Sequence, residues 1–225
     1  IKASADLIDD ENPNYQFVGG RLINYALRKE VYGQYTPFSV KELVERNIAS
    51  GFYDSELLEQ YSDEEWAKID SFIKHDRDEA LTYVAMEQLR GKYLCQNRVS
   101  GEIFETPQMC YVLIAATLFQ NYPKETRLSW IKDYYDAVSL HDISLPTPVM
   151  AGVRTPQRQF SSCVLIETDD SLDSINATAS SIVKYVSQKA GIGIGGGNIR
   201  AIGSPIRKGD AFHTGIIPFY KHFQS

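Results

Sequence analysis

Cysteine and histidine are scarce in this chain. Three cysteines and four histidines in 225 residues leave little room for metal or disulfide chemistry. Cys95, Cys110 and Cys163 are an odd number with no paired spacing. That argues against a secreted disulfide framework and for a reducing, cytoplasmic setting. His213 and His222 have no Cys or carboxylate at ligand spacing, so no zinc motif is read and no metal is expected. No apolar run approaches the roughly 20 residues that span a bilayer, and no signal peptide opens the chain, so no membrane partner is expected. Excess positive charge is missing too. The 23 Lys and Arg residues stand against 29 Asp and Glu, a net charge of −6, so nucleic acid is not the expected partner. Any anionic ligand must meet local basic residues. There is no Gly-Lys-Ser/Thr phosphate loop and no internal repeat.

What is present is a hydrophobic content of 43% with 23% charged residues, enough for one or two domains with a sizeable core. The chain opens at Ile1 in a helical pattern and stops at Ser225 with no terminating signal, so it is expected to be a piece of something longer. Helical patterns run over residues 2–10 and 15–32, the second stopped by Gly33. Ser39 with Glu42 reads as a capping box opening Val40–Ser50, closed by Gly51. Ser62-Asp-Glu-Glu opens a helix through about His75, and residues 78–91 read as another. Tyr93–Glu105 looks like a hairpin turning at 97–101. Pro107 starts the apolar helix that continues to Phe119, and Thr126–Ser139 is one more helix. His75-Asp76-Arg77-Asp78 reads as a charged helix junction.

After residue 140 the texture changes. Residues 143–152 are Pro-punctuated and read as extended, and Val164–Glu167 as a short strand. Asp170–Ala190 is an amphipathic helix with Leu172, Ile175, Ala179, Ile182, Val183 and Val186 on one stripe. A glycine-rich loop follows. The domain boundary is therefore expected near residue 140. Asn176-Ala-Thr178 matches a glycosylation sequon but falls inside that helix.

Three segments can carry chemistry. In the first, Arg154-Thr-Pro-Gln-Arg-Gln-Phe-Ser-Ser-Cys, a polar, basic turn delivers Ser161, Ser162 and Cys163 to a strand end. A thiol there is either a small packed apolar group or a reactive one. A hydrolase pairing Cys163 with His213 has no supporting signature. In the second, Gly191, Gly193 and Gly196 fit G-x-G-x-x-G, but after a helix, where a dinucleotide fingerprint follows a strand. The segment is either a helix C-cap with a loop or a backbone that a ligand approaches closely. The third is a charge pattern. Asp169, Asp170 and Asp173 start the helix, where they cap amides and repel phosphate. Arg200, Arg207 and Lys208 lie beyond the loop. Asp170 on a sugar hydroxyl and arginines on phosphates fit a nucleoside triphosphate, whereas a solvated cap and surface arginines fit the same residues.

Several ordered stretches together resemble the large, catalytic subunit of class I (class Ia-like) ribonucleotide reductase. They are Ile143-Ser-Leu-Pro-Thr-Pro, the Arg154–Cys163 segment, Asp170-Ser-Leu-Asp-Ser-Ile, Lys189-Ala-Gly-Ile-Gly-Ile and Gly215-Ile-Ile-Pro-Phe-Tyr-Lys-His. The resemblance implies a mainly α N-terminal module followed by the opening of a ten-stranded α/β barrel. Residues 1–33 would be the end of an ATP-cone-like region, 34–140 the helical domain, and 141–225 the start of the barrel with its effector-specificity helix and loop.

The resemblance implies that Cys163 is one thiol of the pair that reduces the ribose and becomes a disulfide. Thr147, Ser162, Cys163 and Gly191 would contact a nucleoside diphosphate substrate. Asp170, Ser171, Leu172, Arg200, Ile206 and Arg207 would bind an ATP or deoxynucleotide effector, and Lys29 would be the surviving contact of the activity site. Implied partners are the remainder of the large subunit, a second copy through the 170–190 helix, a metal-containing small subunit that supplies the radical, and thioredoxin or glutaredoxin as reductant. No cofactor is implied within the chain itself. The family's radical-carrying cysteine, its neighbouring Asn and Glu, and the second thiol of the reducing pair have no counterpart here. Gly195-Gly-Gly is richer in glycine than the family pattern. A non-catalytic nucleotide-binding or assembly module is the alternative reading.

Overall fold

The computed structural model describes residues 1–188 and 190–224. The chain divides into two compact units, Ile1–Phe160 and Ser161–Ser225.

The first unit is helical. It comprises α1 (Lys2–Ala5), α2 (Tyr15–Tyr32), α3 (Val40–Ala49), α4 (Glu56–Glu59), α5 (Asp63–Ser71), α6 (Tyr83–Gln88), α7 (Pro107–Phe119), α8 (Lys124–Ser139) and α9 (Thr147–Gly152). Local chemistry sets several of the boundaries. Ser39 accepts the Glu42 amide at the start of α3, and Ser62 with Glu65 forms a complete capping box on α5. Gly33 ends α2 in the left-handed region, its N–H bonded to the Lys29 carbonyl at 2.9 Å. On α2, Ile23, Leu27 and Val31 recur every four residues and are buried, which turns one face inward. The stretch from Pro107 to Ala116 is buried on every side, which makes α7 the central helix of the core. Helix α8 packs on it through Ile131, Tyr135 and Val138.

Several expectations are corrected. Helix α5 stops at Ser71 instead of His75. Residues 75–80 form a 3-10 helix, and the helix expected over 78–91 is α6 followed by a π turn at Leu89–Tyr93. The 93–105 hairpin reduces to a single bridge between Gln96 and Ile103. Residues 147–152, read as extended, are helical because Pro148 falls in the first turn, where no intrahelical N–H is needed. The compact units divide at 160/161, not near 140, because Met150, Val153 and Arg154 are built into the helical core.

The basic turn is also more than a surface feature. Arg154 is fully buried and pairs with Glu105, donating from Nε at 2.7 Å and from its second amino group, while another N–H reaches the Met150 carbonyl at 2.7 Å. Glu105 also accepts from the Tyr53 hydroxyl and from the Cys95 amide at 2.6 Å. This buried charge is therefore matched by donors on each side. Arg158 reaches out to Asp54.

The second unit is a βαβ element with a hairpin. Strand β1 (Cys163–Glu167) pairs in parallel with β2 (Gly191–Gly195), and α10 (Leu172–Ser187) runs between them. A short hairpin, β3 (Pro205–Ile206) and β4 (Ala211–Phe212), precedes α11 (Ile217–Gln224). Ile175, Ile199 and Phe223 form a small core with Ala179, Ile182 and Ile194 against it.

The glycine-rich segment read as a loop is thus strand β2. Its glycines lie under side chains of β1. A Cβ on Gly193 would come within 2.7 Å of the Leu165 side chain, and one on Gly195 within 2.5 Å of the Glu167 carboxylate. The stripe expected on α10 splits. Ile175, Ala179 and Ile182 face the core, while Leu172, Val183 and Val186 are exposed. Lys189, the first residue of one quoted motif, lies outside the described residues.

Candidate functional site

The β1–α10 junction assembles the first part of the site. Thr168 takes the chain off β1, its buried hydroxyl bonded to that of Thr178 on α10 at 2.8 Å. Ser171, not an aspartate, caps α10 by accepting the Ser174 amide at 3.1 Å. That frees Asp170, which turns to Arg200. The Asp170 carboxylate accepts the Arg200 backbone N–H at 3.2 Å and its Nε–H at 2.6 Å. The backbone bond, with the guanidinium beside it, holds the carboxyl below its usual range. Asp169 accepts from Asn198 at 3.2 Å, so the segment beyond β2 is tied to the helix start at two points.

The hairpin supplies the opposite wall. Arg207 and Lys208 adopt φ of 50° and 59°, left-handed values unusual for residues with side chains. Gly209 follows at φ 101°. This tight tip carries Arg207 back into the cavity. The result is a pocket of about 410 Å³ lined by Asp170, Ser171, Leu172, Arg200, Ile206 and Arg207. All six residues expected to hold an effector therefore line one space. Its charged end carries two arginines and one aspartate, and Leu172, Ile175 and Ile206 give it an apolar wall. Sequence reasoning missed Phe212, His213, Thr214 and Phe219, which line the same pocket. The available signal was Lys208-Gly209-Asp210, a turn that brings residues 211–214 back beside β3.

Ser162, Cys163 and Gly191 also come together. Cys163 opens β1 directly opposite Gly191 in the parallel register, and the Gly191 amide donates to the Ser162 carbonyl at 2.9 Å. Ser162 and Cys163 are exposed. A Cβ on Gly191 would stand 3.4 Å from the Cys163 sulfur, so glycine leaves open space beside the thiol. All three cysteines are free. Cys95 and Cys110 are buried in the helical unit, where burial pushes the Cys95 thiol up to about 12 and raises that of Cys110 as well. Both are therefore held as packed thiols.

The remaining candidates belong to the helical unit. Thr147 is the half-buried first residue of α9. Lys29 is exposed on α2, its ammonium 4.8 Å from the centre of the Tyr25 ring. The charged junction at 75–78 hides a buried group: Asp78 is fully buried and accepts from Gln108 at 2.9 Å. Burial pushes its carboxyl up to about 7. Among the described residues no three His, Cys, Asp or Glu side chains gather as metal ligands, and no helix is long and apolar enough to cross a membrane.

Comparison with known proteins agrees with this layout. Residues 79–158 match the all-alpha domain family of ribonucleotide reductase, and residues 161–225 match its barrel domain family. The chain is 62% identical over all its 225 residues to the ribonucleoside-diphosphate reductase 1 subunit alpha of Escherichia coli (strain K12). It is 60% identical to the subunit alpha of Haemophilus influenzae and 52% identical to that of Enterobacteria phage T4, again over the whole chain. In each case it spans 30% of the relative's length. With two adjoining domains matched in order and identity sustained from end to end, this chain belongs to the ribonucleotide reductase large-subunit family.

Proposed function

We propose that the chain is part of the catalytic subunit of a ribonucleoside-diphosphate reductase and carries the effector site that controls it. The observation that carries this reading is the single cavity lined by Asp170, Ser171, Leu172, Arg200, Ile206 and Arg207. A nucleoside triphosphate suits it chemically. Arginine forks match phosphate oxygens, and Leu172, Ile175 and Ile206 give the sugar and base an apolar wall. Asp170 both orients Arg200 and keeps acceptor capacity for a sugar hydroxyl.

Cys163 would supply one of the two thiols that reduce the ribose. Two thiols give up two electrons and two protons, the ribose loses its 2′ hydroxyl as water, and the sulfurs join as a disulfide. Cys163 is one of these thiols and the second belongs to the remainder of the large subunit. Thioredoxin or glutaredoxin would then return the pair to the reduced state. The radical that starts the reaction is the contribution of a metal-containing small subunit. This chain's share is to present the thiol beside the bare Gly191 backbone, with Ser162 and Thr147 as contacts for the substrate diphosphate or ribose. The exposed Leu172, Val183 and Val186 on α10 suit a second copy of the subunit. Lys29 is the expected remnant of an ATP-binding activity site, and cytoplasmic residence goes with free, reduced cysteines.

One observation favours the narrower reading of a non-catalytic nucleotide-binding module: the effector set is complete here, while Cys163 has no second thiol within its own unit. The test is reconstitution. With the missing part of the subunit and the small subunit supplied, deoxynucleotides should form, and Cys163→Ser should abolish them. Turnover that survives Cys163→Ser would overturn the catalytic assignment. Asp170→Ala and Arg200→Ala should each weaken deoxynucleoside triphosphate binding while leaving the fold intact. Unchanged affinity in both would overturn the effector assignment.

A further inference from the structure

His213 follows β4 and lines the effector cavity beside Phe219. Three contacts fix its ring. The main chain continues the hairpin ladder, with the His213 amide donating to the Ser204 carbonyl at 2.8 Å and its carbonyl accepting from Gly203 at 2.9 Å. The imidazole stacks on Phe219, centroids 5.6 Å apart and planes inclined by 24°. Its Nδ1 accepts the backbone N–H of Gly215 at 3.0 Å.

The last contact decides the chemistry. A backbone amide only donates, so Nδ1 is unprotonated, and the neutral ring carries its one hydrogen on Nε2. The anchor itself is rigid. Gly215 has φ 82°, and a Cβ there would meet the Ile202 side chain at 3.3 Å. His213 is half-buried in the cavity wall, and its Nε2 takes no part in the Gly215 bond. A ring N–H oriented by the stack on Phe219 and the bond to Gly215, in the wall of a cavity, can meet an acceptor of a bound ligand.

We propose that His213 is a further ligand-binding residue of this site, acting as a neutral Nε2–H donor to an acceptor oxygen of the bound nucleotide. The proposal rests on the effector reading above. It differs from the roles of Arg200 and Arg207 in kind, because it supplies direction without charge. The acceptor is a carbonyl of the nucleobase or an oxygen of the phosphate chain, and two nucleotides separate these sources. Thymine carries ring carbonyls and adenine carries none, while their triphosphates are the same.

The experiment titrates thymidine triphosphate and deoxyadenosine triphosphate into the 225-residue chain and into two variants. His213→Phe keeps a ring against Phe219 and removes the donor. His213→Gln removes the ring and restores an N–H. We expect His213→Phe to weaken thymidine triphosphate binding about 10-fold and His213→Gln to recover most of that loss. A loss confined to thymidine triphosphate assigns the bond to the base, and an equal loss for both nucleotides assigns it to phosphate. Wild-type affinity in His213→Phe, or a loss that His213→Gln does not recover, overturns the donor role while the effector reading stands. If the wild-type chain binds neither nucleotide, the effector reading falls and takes this role with it.

Discussion

The two units bury their side chains in opposite styles. The helical unit encloses Trp66, Tyr135, Leu113 and many others completely, and its fully buried Arg154 is matched by Glu105. The second unit has only Ile175, Ile199 and Phe223 at its centre. It leaves Leu165 86% exposed, Ile202 78% and Leu172 75%. Its sheet has two parallel strands, with an unpaired edge on each side among the described residues. The first unit is built to be stable. The second keeps a cavity, open strand edges among its described residues and exposed apolar side chains on α10.

That contrast can be broken or sharpened by mutation. The largest effect is expected from Glu105→Gln, which leaves the fully buried Arg154 without its counter-charge. A loss of about 3–5 kcal/mol should appear in urea unfolding of the helical unit. Loss of effector binding without loss of helical stability would contradict the division of labour.

Next comes Asp78→Asn. Burial raises the Asp78 carboxyl from the ordinary 3.8 to about 7, so the folded state holds a proton that the unfolded chain releases. Its stabilising contribution is full below about pH 4 and is lost as pH rises through about 7. The variant lacks this loss. Its melting temperature relative to wild type should therefore climb between pH 4 and pH 7 and level off above, by an amount worth a few kcal/mol. A pH-independent difference would show that Asp78 titrates normally.

Glycine substitution compares the units directly. A Cβ on Gly20 would stand 2.0 Å from the Leu81 carbonyl oxygen, a backbone atom that cannot step aside. Gly20→Ala should cost about 1–3 kcal/mol in thermal unfolding. On Gly193 the same atom meets the end of the exposed Leu165 side chain, which can swing away. Gly193→Ala should cost about 1 kcal/mol or less by the same measurement. The smallest effect is expected at the hairpin tip. Lys208→Gly relieves a left-handed residue and should change stability by about 1 kcal/mol or less. It should also lower nucleotide affinity in calorimetric titration, because Arg207 is then held less firmly.

Much of the helical unit is legible in the sequence because its boundaries are chemical. Ser39, Ser62, Pro107 and Gly33 each act within one turn of themselves. The errors fall where tertiary context decides. Gly191–Gly195 has the composition of a loop, and it becomes a strand because β1 lays Leu165 and Glu167 over it. Arg154 sits in a polar, basic stretch, and only Glu105, far away in sequence, explains its burial. Among the residues proposed to bind an effector, Asp170, Arg200 and Arg207 are recognisable as charges that a nucleotide needs. Phe212, His213 and Phe219 are not, since their place in the cavity depends on a hairpin with strands of only two residues.

Amide hydrogen exchange with and without thymidine triphosphate addresses both the pocket and the contrast between units. Slowed exchange should be confined to residues 169–175 and 199–215, with residues 1–160 unchanged. Protection confined to the helical unit, or none at saturating nucleotide, would show that the cavity between α10 and the hairpin is not where an effector binds.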